Sequence, residues 1–510
     1  MYDLVVIGGG SGGLTIGKYG AKLGAKVAIV EAKRLGGDCT WVGCIPSKAL
    51  IASARVAHLT RRTAEFGLPS APAAAPVDLG SIADRIAALQ AHIYQESDDP
   101  AHLRADGCDV IEGLARFLDP GAIEVDGRRI ESRYFCIATG SSPVVPPIPG
   151  LDEVDYLTNH TVFQERVLPG RLLVIGGGPI GLELGQAFSR LGSQVTVAEA
   201  LPRILTREDP DVSALLADCL QSEGIDIRTG TMVQALRSVD GRKRATLAPH
   251  NAPGNAPHSA PESAPDEVDF DAVIVAVGQK PLVEGLDLEA AGVEYTAAGI
   301  EVDATMRTSN RRIFAAGDVT GRFAFTHTAA HEASVVLRNA LFPMNQKIDY
   351  SIVPWATFTD PEVARVGLTE AEARDRHGDS VQVYCHDFAS IDRAILDGNT
   401  RGFIKLVTQG RKERIVGAQI IGPAAGELIH EFAVAMKAGM TASQLAETMH
   451  VYPTLSEISR YAALKPYERW LGSPMVQRLR RLNDRFSHVL PLGEFPRRGR
   501  NPLETPRGDQ

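Results

Sequence analysis

The stretch that decides the fold is Leu4-Val5-Val6-Ile7-Gly8-Gly9-Gly10-Ser11-Gly12-Gly13, a short apolar run that opens into glycines. A helical pattern follows through Leu23, and a second apolar run, Lys26 to Val30, ends at Glu31. Strand, glycine turn, helix and strand make one βαβ unit. The same grammar returns at Arg171 to Ile175, then Gly176-Gly177-Gly178-Pro179-Ile180-Gly181, a helix, and Gln194 to Ala198 ending at Glu199. A lone glycine triplet also makes tight turns with no ligand, but two copies in full context read as two dinucleotide folds. Gly8 and Gly176 allow the turn, Gly10 and Gly178 admit a pyrophosphate to the backbone, and Gly13 and Gly181 let helix and strand pack closely. The helix N-terminus then stabilises phosphate charge. Glu31 and Glu199 stand where a carboxylate accepts hydrogen bonds from ribose hydroxyls; the plainer reading of each is a strand-end acid on a solvated edge. Glu199 would repel a 2′-phosphate, which favours NAD(H) over NADP(H), while Arg203 and Arg207 follow closely enough to keep NADPH open. Two such sites mean two cofactors passing electrons, most simply FAD and a nicotinamide.

A chain of 510 residues holds several domains, since single cores seldom grow past roughly 250–300 residues. With 44% hydrophobic and 23% charged residues and a net charge of −9, nothing directs it to nucleic acid or an anionic membrane, and small-molecule chemistry is the default. Six cysteines (Cys39, Cys44, Cys108, Cys136, Cys219 and Cys385) are too few for a disulfide-stapled secreted scaffold. The first residues already read as a buried strand, so no signal or transit segment is expected, and no apolar run reaches the ~20 residues that span a bilayer. A cytoplasmic location is expected.

Pro143, Pro146, Pro147 and Pro149 with Gly150 punctuate a crossing between domains, which sets a boundary near 150. From His250 to Pro265 the Ala/Pro/Ser-rich run cannot bury enough apolar surface to fold alone and reads as an exposed inserted loop. Buried strands resume at Asp271 to Gly278 and Ile313 to Asp318. From Pro354 onward strands such as Gly402 to Val407 mix with a helix near Glu427 to Ala438, the texture of a separate α+β domain.

Cys39 and Cys44 lie in GGDCTWVGCIPSKAL, Gly36 to Leu50. A zinc knuckle is disfavoured, because the spacing is slightly long and no second Cys or Cys/His pair follows. A structural staple is disfavoured in a reducing compartment. Pro46 suits the first turn of a helix, which puts Cys44 at its N-terminus, where unpaired N–H groups lower a thiol pKa. Residues five apart on a regular helix have Cα atoms about 8–9 Å apart, against about 4.4–6.8 Å for a disulfide. The bond closes only over a distorted first turn, and such a bridge is easily reduced.

This segment resembles the redox-disulfide segment of the flavoprotein disulfide reductases, the class I pyridine nucleotide-disulfide oxidoreductase family of dihydrolipoamide dehydrogenase, glutathione reductase and mercuric reductase. The resemblance extends over nearly all of residues 1–470, through Ala138-Thr139-Gly140-Ser141, TSNRRIFAAGD (Thr308 to Asp318), VPWATFTDPEVARVGLTE (Val353 to Glu370) and HVYPTLSE (His450 to Glu457). It implies an α/β chain with two Rossmann-like dinucleotide-binding domains plus a C-terminal α+β dimerisation domain. Residues 1–150 and 272–345 would bind FAD, 151–271 with its insertion at about 249–266 would bind NAD(P), 346–470 would dimerise, and 471–510 form a basic extension. It further implies FAD at Gly8, Gly10, Gly13, Glu31, Thr139, Gly140 and Asp318, and the nicotinamide nucleotide at Gly176, Gly178, Gly181, Glu183, Glu199 and Gly278. Cys44 would face the flavin and Cys39 the substrate, and Lys48 would pair with Glu183 near flavin N5, where a fixed cation stabilises the anionic reduced flavin.

Members that exchange disulfides carry a histidine before the proline of the last motif, held by a glutamate five positions later. Here that position is Tyr452; Glu457 is retained, and His450, two residues upstream, is the candidate substitute base or else a packing histidine. A tyrosine there resembles mercuric-reductase-like proteins and soluble transhydrogenases, but the latter lack an intact cysteine pair. Mercuric reductases carry a further cysteine pair near the C-terminus, which RRGRNPLETPRGDQ does not contain. The expected enzyme is a homodimeric FAD-dependent NAD(P)H oxidoreductase passing hydride through Cys39 and Cys44 to a small-molecule or metal-ion acceptor, with no nucleic-acid partner. The alternatives are a dihydrolipoamide dehydrogenase with an unusual base and a low-turnover flavin redox sensor. In the tail, Val476, Leu479, Leu482, Phe486 and Val489 form an apolar stripe beside Arg478, Arg480, Arg481 and Arg485, expected to pack on the protein's own surface rather than on a membrane.

Overall fold

The computed structural model describes residues 1–69, 76–239, 241–250 and 266–486. The opening stretch forms the strand Tyr2–Ile7, the helix Ser11–Lys22 and the strand Val27–Glu31. These seed a sheet in which Asp109–Glu112, Val27–Glu31, Tyr2–Ile7, the C-terminal half of Arg128–Ile137 and Ile313–Ala315 run parallel in that order. Leu4, Val5 and Val6 are fully buried, as a strand covered on both faces requires. The second copy repeats the order: Asp226–Thr229, Gln194–Glu199, Arg171–Ile175 and Ala272–Val275, all parallel. Ala272–Val275 therefore belongs to the second sheet, which corrects the expected return to the first domain at 272. A buried apolar strand reads alike in either sheet; the crossing comes later, where Gln279–Pro281 pairs with Ser141–Pro143 in a two-stranded link.

The low-complexity run at 251–265 lies outside the described residues; it joins the antiparallel strands Arg242–Pro249 and Asp266–Phe270, which pair up to Leu247 and Asp266. The third domain is a five-stranded antiparallel sheet, Pro354–Thr357, Glu362–Gly367, Arg414–Gly422, Phe403–Gln409 and Val381–Asp387, backed by the helices Ala425–Lys437 and Glu457–Leu471. In the tail, Pro474–Phe486 is helical, yet Met475, Leu479 and Leu482 stay exposed. Of the expected stripe, Leu479 and Leu482 are therefore not covered within one chain, while Val476 is half-buried; Val489 lies outside the described residues.

Buried charge clamps the second domain to the third. The Glu208 carboxylate accepts from Trp355 Nε1 at 2.8 Å and from Gln419, and faces Arg365 Nε at 3.5 Å. Lys405 meets Asp209 at 3.1 Å and Asp211 at 2.6 Å. Breaking a buried pair from one side costs more than the pair contributes, because the remaining charge is stranded. Arg365→Met is therefore expected to lose about 3–5 kcal/mol, read as an earlier urea midpoint, and adding Glu208→Gln should recover most of it. A double variant no better than the single one would show that the stranded carboxylate is not the cause.

Candidate active site

The cysteine segment folds as two helices, Gly37–Trp41 and Cys44–Arg61, broken at Val42 and Gly43. This break is the distorted turn that the spacing requires, and it lets the two thiols hydrogen-bond to each other. Cys44 stands at the first position of an 18-residue helix whose N-cap, Gly43, supplies no side-chain cap, so helix N–H groups and dipole act on the sulfur. Thr40 buries its hydroxyl on Asp98 at 2.8 Å, and Gln90 Nε2 donates to the carbonyls of Thr40 and Trp41 at 2.9 and 2.8 Å. Arg34 lies over the Trp41 ring at 3.3 Å. These contacts hold the first helix, and with it Cys39, in place.

The two thiols differ sharply. The hydrogen bond from Cys39, the Thr326 hydroxyl and the Lys48 cation pull Cys44 down to about 6. Its partnership with the Cys44 sulfur, together with burial, pushes Cys39 well above the ordinary thiol range. The pair therefore favours the proton on Cys39 and the thiolate on Cys44. Thr326 Oγ1 lies 3.5 Å from Cys44 Sγ and begins the helix Thr326–Leu341. No sequence signal singled out Thr326, since it stands 282 residues from its cysteine.

Lys48, one turn into the cysteine helix, places Nζ 2.8 Å from Glu183 Oε2 and 4.4 Å from the centroid of the Phe358 ring. Glu183 lies on the helix Pro179–Leu191, buried, and its other oxygen accepts the Phe358 N–H at 2.8 Å. Asp318, which accepts from Ser141 Oγ at 2.7 Å, sits raised by burial beside Gly317.

The two fingerprints match in detail. Gly8 has φ +109° and Gly176 φ +113°, where a Cβ would come within 2.3 Å of Ala138 O and 2.5 Å of Ala276 O. Gly10 and Gly178 cap their helices without a side-chain bond, and a Cβ on Gly178 would meet nothing within 4 Å, the open cradle that a diphosphate needs. Glu31 accepts the Gly9 and Lys33 N–H groups at 2.6 and 2.7 Å, and Glu199 accepts those of Gly177 and Leu201 at the same distances. Each carboxylate braces its own glycine loop rather than standing idle on a solvated edge. Arg203 is committed to the carbonyls of Thr206 and Glu208, both at 2.7 Å.

Among the described residues, no hydrogen bond or ion pair joins the C-terminal motif to Cys39 or Cys44. Tyr452 is 67% exposed and donates to Asp392 Oδ2 at 2.7 Å, which raises its hydroxyl above the ordinary phenol value. His450 does not stand free as a substitute base: Nε2 lies 2.7 Å from Glu431 and Nδ1 2.9 Å from the Thr448 carbonyl. Glu457 is largely buried, and among the described residues no hydrogen bond or ion pair holds its carboxylate.

Comparison with known proteins follows this geometry. Residues 2–333 match the pyridine nucleotide-disulphide oxidoreductase family and residues 353–463 its dimerisation domain. A mercuric reductase of Bacillus cereus is 35% identical over 91% of this chain and 71% of its own length. A dihydrolipoyl dehydrogenase of Thermus scotoductus is 39% identical over 89% and 95%. Among solved structures, the Cu(II) complex of the HOCl-induced flavoprotein disulfide reductase RclA from Escherichia coli superposes with a TM-score of 0.78, at 28% identity over 91% of this chain and 98% of that one. The chain belongs to the class I pyridine nucleotide-disulphide oxidoreductases. It is an oxidoreductase of the flavoprotein disulfide reductase type, which implies FAD and a pyridine nucleotide. Among the described residues, no helix is long and apolar enough to cross a membrane.

The thiol asymmetry makes a pH prediction. Alkylation of Cys44 in the reduced protein should rise with pH through a midpoint of about 6, because only the thiolate reacts. Lys48→Met and Thr326→Val should each move that midpoint upward. A midpoint near the free-thiol value of about 8.5 in the parent protein would contradict the arrangement.

Proposed function

We propose that this enzyme draws electrons from NADH in preference to NADPH and delivers them through Cys39 and Cys44 to a thiophilic metal ion or comparable electrophile. The observation that carries the reading is Tyr452, whose hydroxyl is engaged by Asp392 where exchange with a dithiol substrate needs a base. A phenol pushed above its ordinary pKa neither takes nor returns protons readily near neutrality. A thiophilic ion removes that need, since its binding to the pair itself expels the Cys39 proton. The mercuric reductases among the relatives and the Cu(II) complex of the RclA reductase support an acceptor of this class. Preference for NADH rests on the Glu199 carboxylate and on Arg203, whose guanidinium is spent on its own loop, while Arg207 lines a cleft with Arg322 and Arg376.

FAD, when bound, supplies the means of taking hydride from the nicotinamide and passing the electrons to a disulfide. The chain's residues fit both groups. Gly8, Gly10, Gly13, Glu31, Thr139, Gly140 and Asp318 would hold the flavin nucleotide, and Gly176, Gly178, Gly181, Glu199 and Gly278 the nicotinamide nucleotide. Lys48, fixed by Glu183, keeps a cation beside the Cys44 thiolate. One hydride equivalent converts the Cys39–Cys44 disulfide into the Cys39 thiol and the Cys44 thiolate; two electrons leave with the acceptor as the S–S bond re-forms and the single Cys39 proton is released. The dimerisation domain supports a homodimer, in which Tyr452 and Glu457 would reach the partner's thiol pair.

A second reading, a dihydrolipoamide dehydrogenase with an unusual base, is favoured by the 39% identity to the Thermus protein and by the retained Glu457. NADH oxidation by the FAD-loaded dimer, with Cu(II), Hg(II) or lipoamide as acceptor, separates the two. Metal-dependent turnover that Cys39→Ser abolishes is expected, with weak lipoamide turnover that Tyr452→His raises by about 10²-fold, the usual scale of a general base. Faster turnover of lipoamide than of either metal, unchanged by Tyr452→His, would favour the second reading instead.

A further inference from the structure

The three domains meet at a second cleft, of about 630 Å³, between residues 203–210, the segments 322–323 and 350–353, and Trp355 with 365–376. No fingerprint glycine lines it, nor do Glu199, Lys48 or Glu183. Successive side chains of a strand point to opposite faces. On the strand Pro354–Thr357, Trp355 faces this cleft, and the strand separates it from the Lys48–Glu183 pair under Phe358.

Two features of the wall define what it would bind. Phe323 and Tyr350, both half-buried, stand with ring centroids 5.3 Å apart and planes 30° from parallel, and Trp355 is 6.4 Å beyond Phe323. Such a wall offers a flat aromatic group a stacking surface. Five arginines (203, 207, 322, 365 and 376) line the cleft against three carboxylates, Glu208, Asp209 and Glu372, so positive charge is in excess. Arg203 is spent on backbone carbonyls and Arg365 on Glu208 and Glu372. Arg207 and Arg376 are exposed and, among the described residues, have neither a hydrogen bond nor an ion pair; Arg322 donates to the Val302 carbonyl, lies over the Tyr350 ring and also acts on the Tyr350 hydroxyl and on Glu332. The wall also contains two buried polar atoms without a hydrogen bond, Arg365 Nε and Asp209 Oδ2, each left with only an ion pair. Guanidinium groups suit phosphate oxygens in geometry as well as charge.

We propose that this cleft is a second nucleotide site, taking a nucleoside polyphosphate with its base against Phe323 and Tyr350 and its phosphates at Arg207, Arg322 and Arg376. Neither dinucleotide fold contributes its glycine loop, and the identity of the electron acceptor does not bear on it.

Gly178→Val isolates the site: the φ there is ordinary and nothing lies within 4 Å of a Cβ, so the fold should tolerate the bulk while the nicotinamide nucleotide loses its phosphate cradle. Calorimetric titration of the FAD-loaded Gly178→Val dimer with ATP should show saturable binding. Adenosine and tripolyphosphate should each bind about tenfold more weakly than ATP, because each meets half of the site, and Arg207→Glu with Arg376→Glu in the same background should weaken ATP by about tenfold or more. Absence of saturable ATP binding to Gly178→Val, or equal ATP binding after the two arginines are reversed in a protein of unchanged circular dichroism, would overturn the proposal.

Discussion

Glu183 carries a buried carboxylate that binds the three domains together beside the thiol pair. One oxygen meets Lys48 from the cysteine helix of the first domain, the other accepts the Phe358 N–H of the third, and the residue itself belongs to the second. A charge this deep persists only when paired and hydrogen-bonded, and both conditions are met by groups from outside its own domain. The same helix repeats the device one turn and two turns on: Gln186 exchanges hydrogen bonds with the Asp360 backbone, and Arg190 pairs with Glu223 and Asp360. The position of Lys48 relative to Cys44 follows from this seam, and its cation adds to the larger lowering of that thiol by the Cys39 hydrogen bond and the Thr326 hydroxyl.

The asymmetry of the cysteines is the chemical product of the scaffold. Helix N-terminus, Thr326 hydroxyl, Lys48 cation and the proton held on Cys39 all act on Cys44, whereas Cys39 sits on a five-residue helix of its own, held by Thr40, Gln90 and the Arg34–Trp41 stack. A thiolate kept ready and a protonated partner suit an acceptor that displaces the proton itself. Tyr452 donates to Asp392, and both ring nitrogens of His450 are engaged, by Glu431 and by the Thr448 carbonyl.

Local chemistry was legible and long-range assembly was not. The fingerprints announce themselves because turn, cradle and acid lie within about two dozen residues of one another, and the matched bracing of Gly9 by Glu31 and Gly177 by Glu199 expresses that locality. Lys48 and Glu183, 135 residues apart, could be paired only through family resemblance. Thr326, Phe358, Asp392 and Glu431 left no local signal, since each acts through a partner brought near by folding. The strand Ala272–Val275 misled for a related reason: its fully apolar pattern specifies burial on both faces but not which of two parallel sheets supplies the cover. The amphipathic pattern of Pro474–Phe486 predicted a helix but not the exposure of Leu479 and Leu482, because periodicity names a face and not its occupant.

The central claim is that electrons from the nicotinamide emerge at Cys39 and Cys44. Its most direct test is anaerobic addition of NADH to the oxidised, FAD-loaded dimer, followed by iodoacetamide and peptide mass spectrometry. Cys44 should pass from unlabelled to labelled with one NADH consumed per pair, while the buried Cys108, Cys136 and Cys219 stay unlabelled throughout. Oxidation of NADH with no new label on Cys44 would contradict the account.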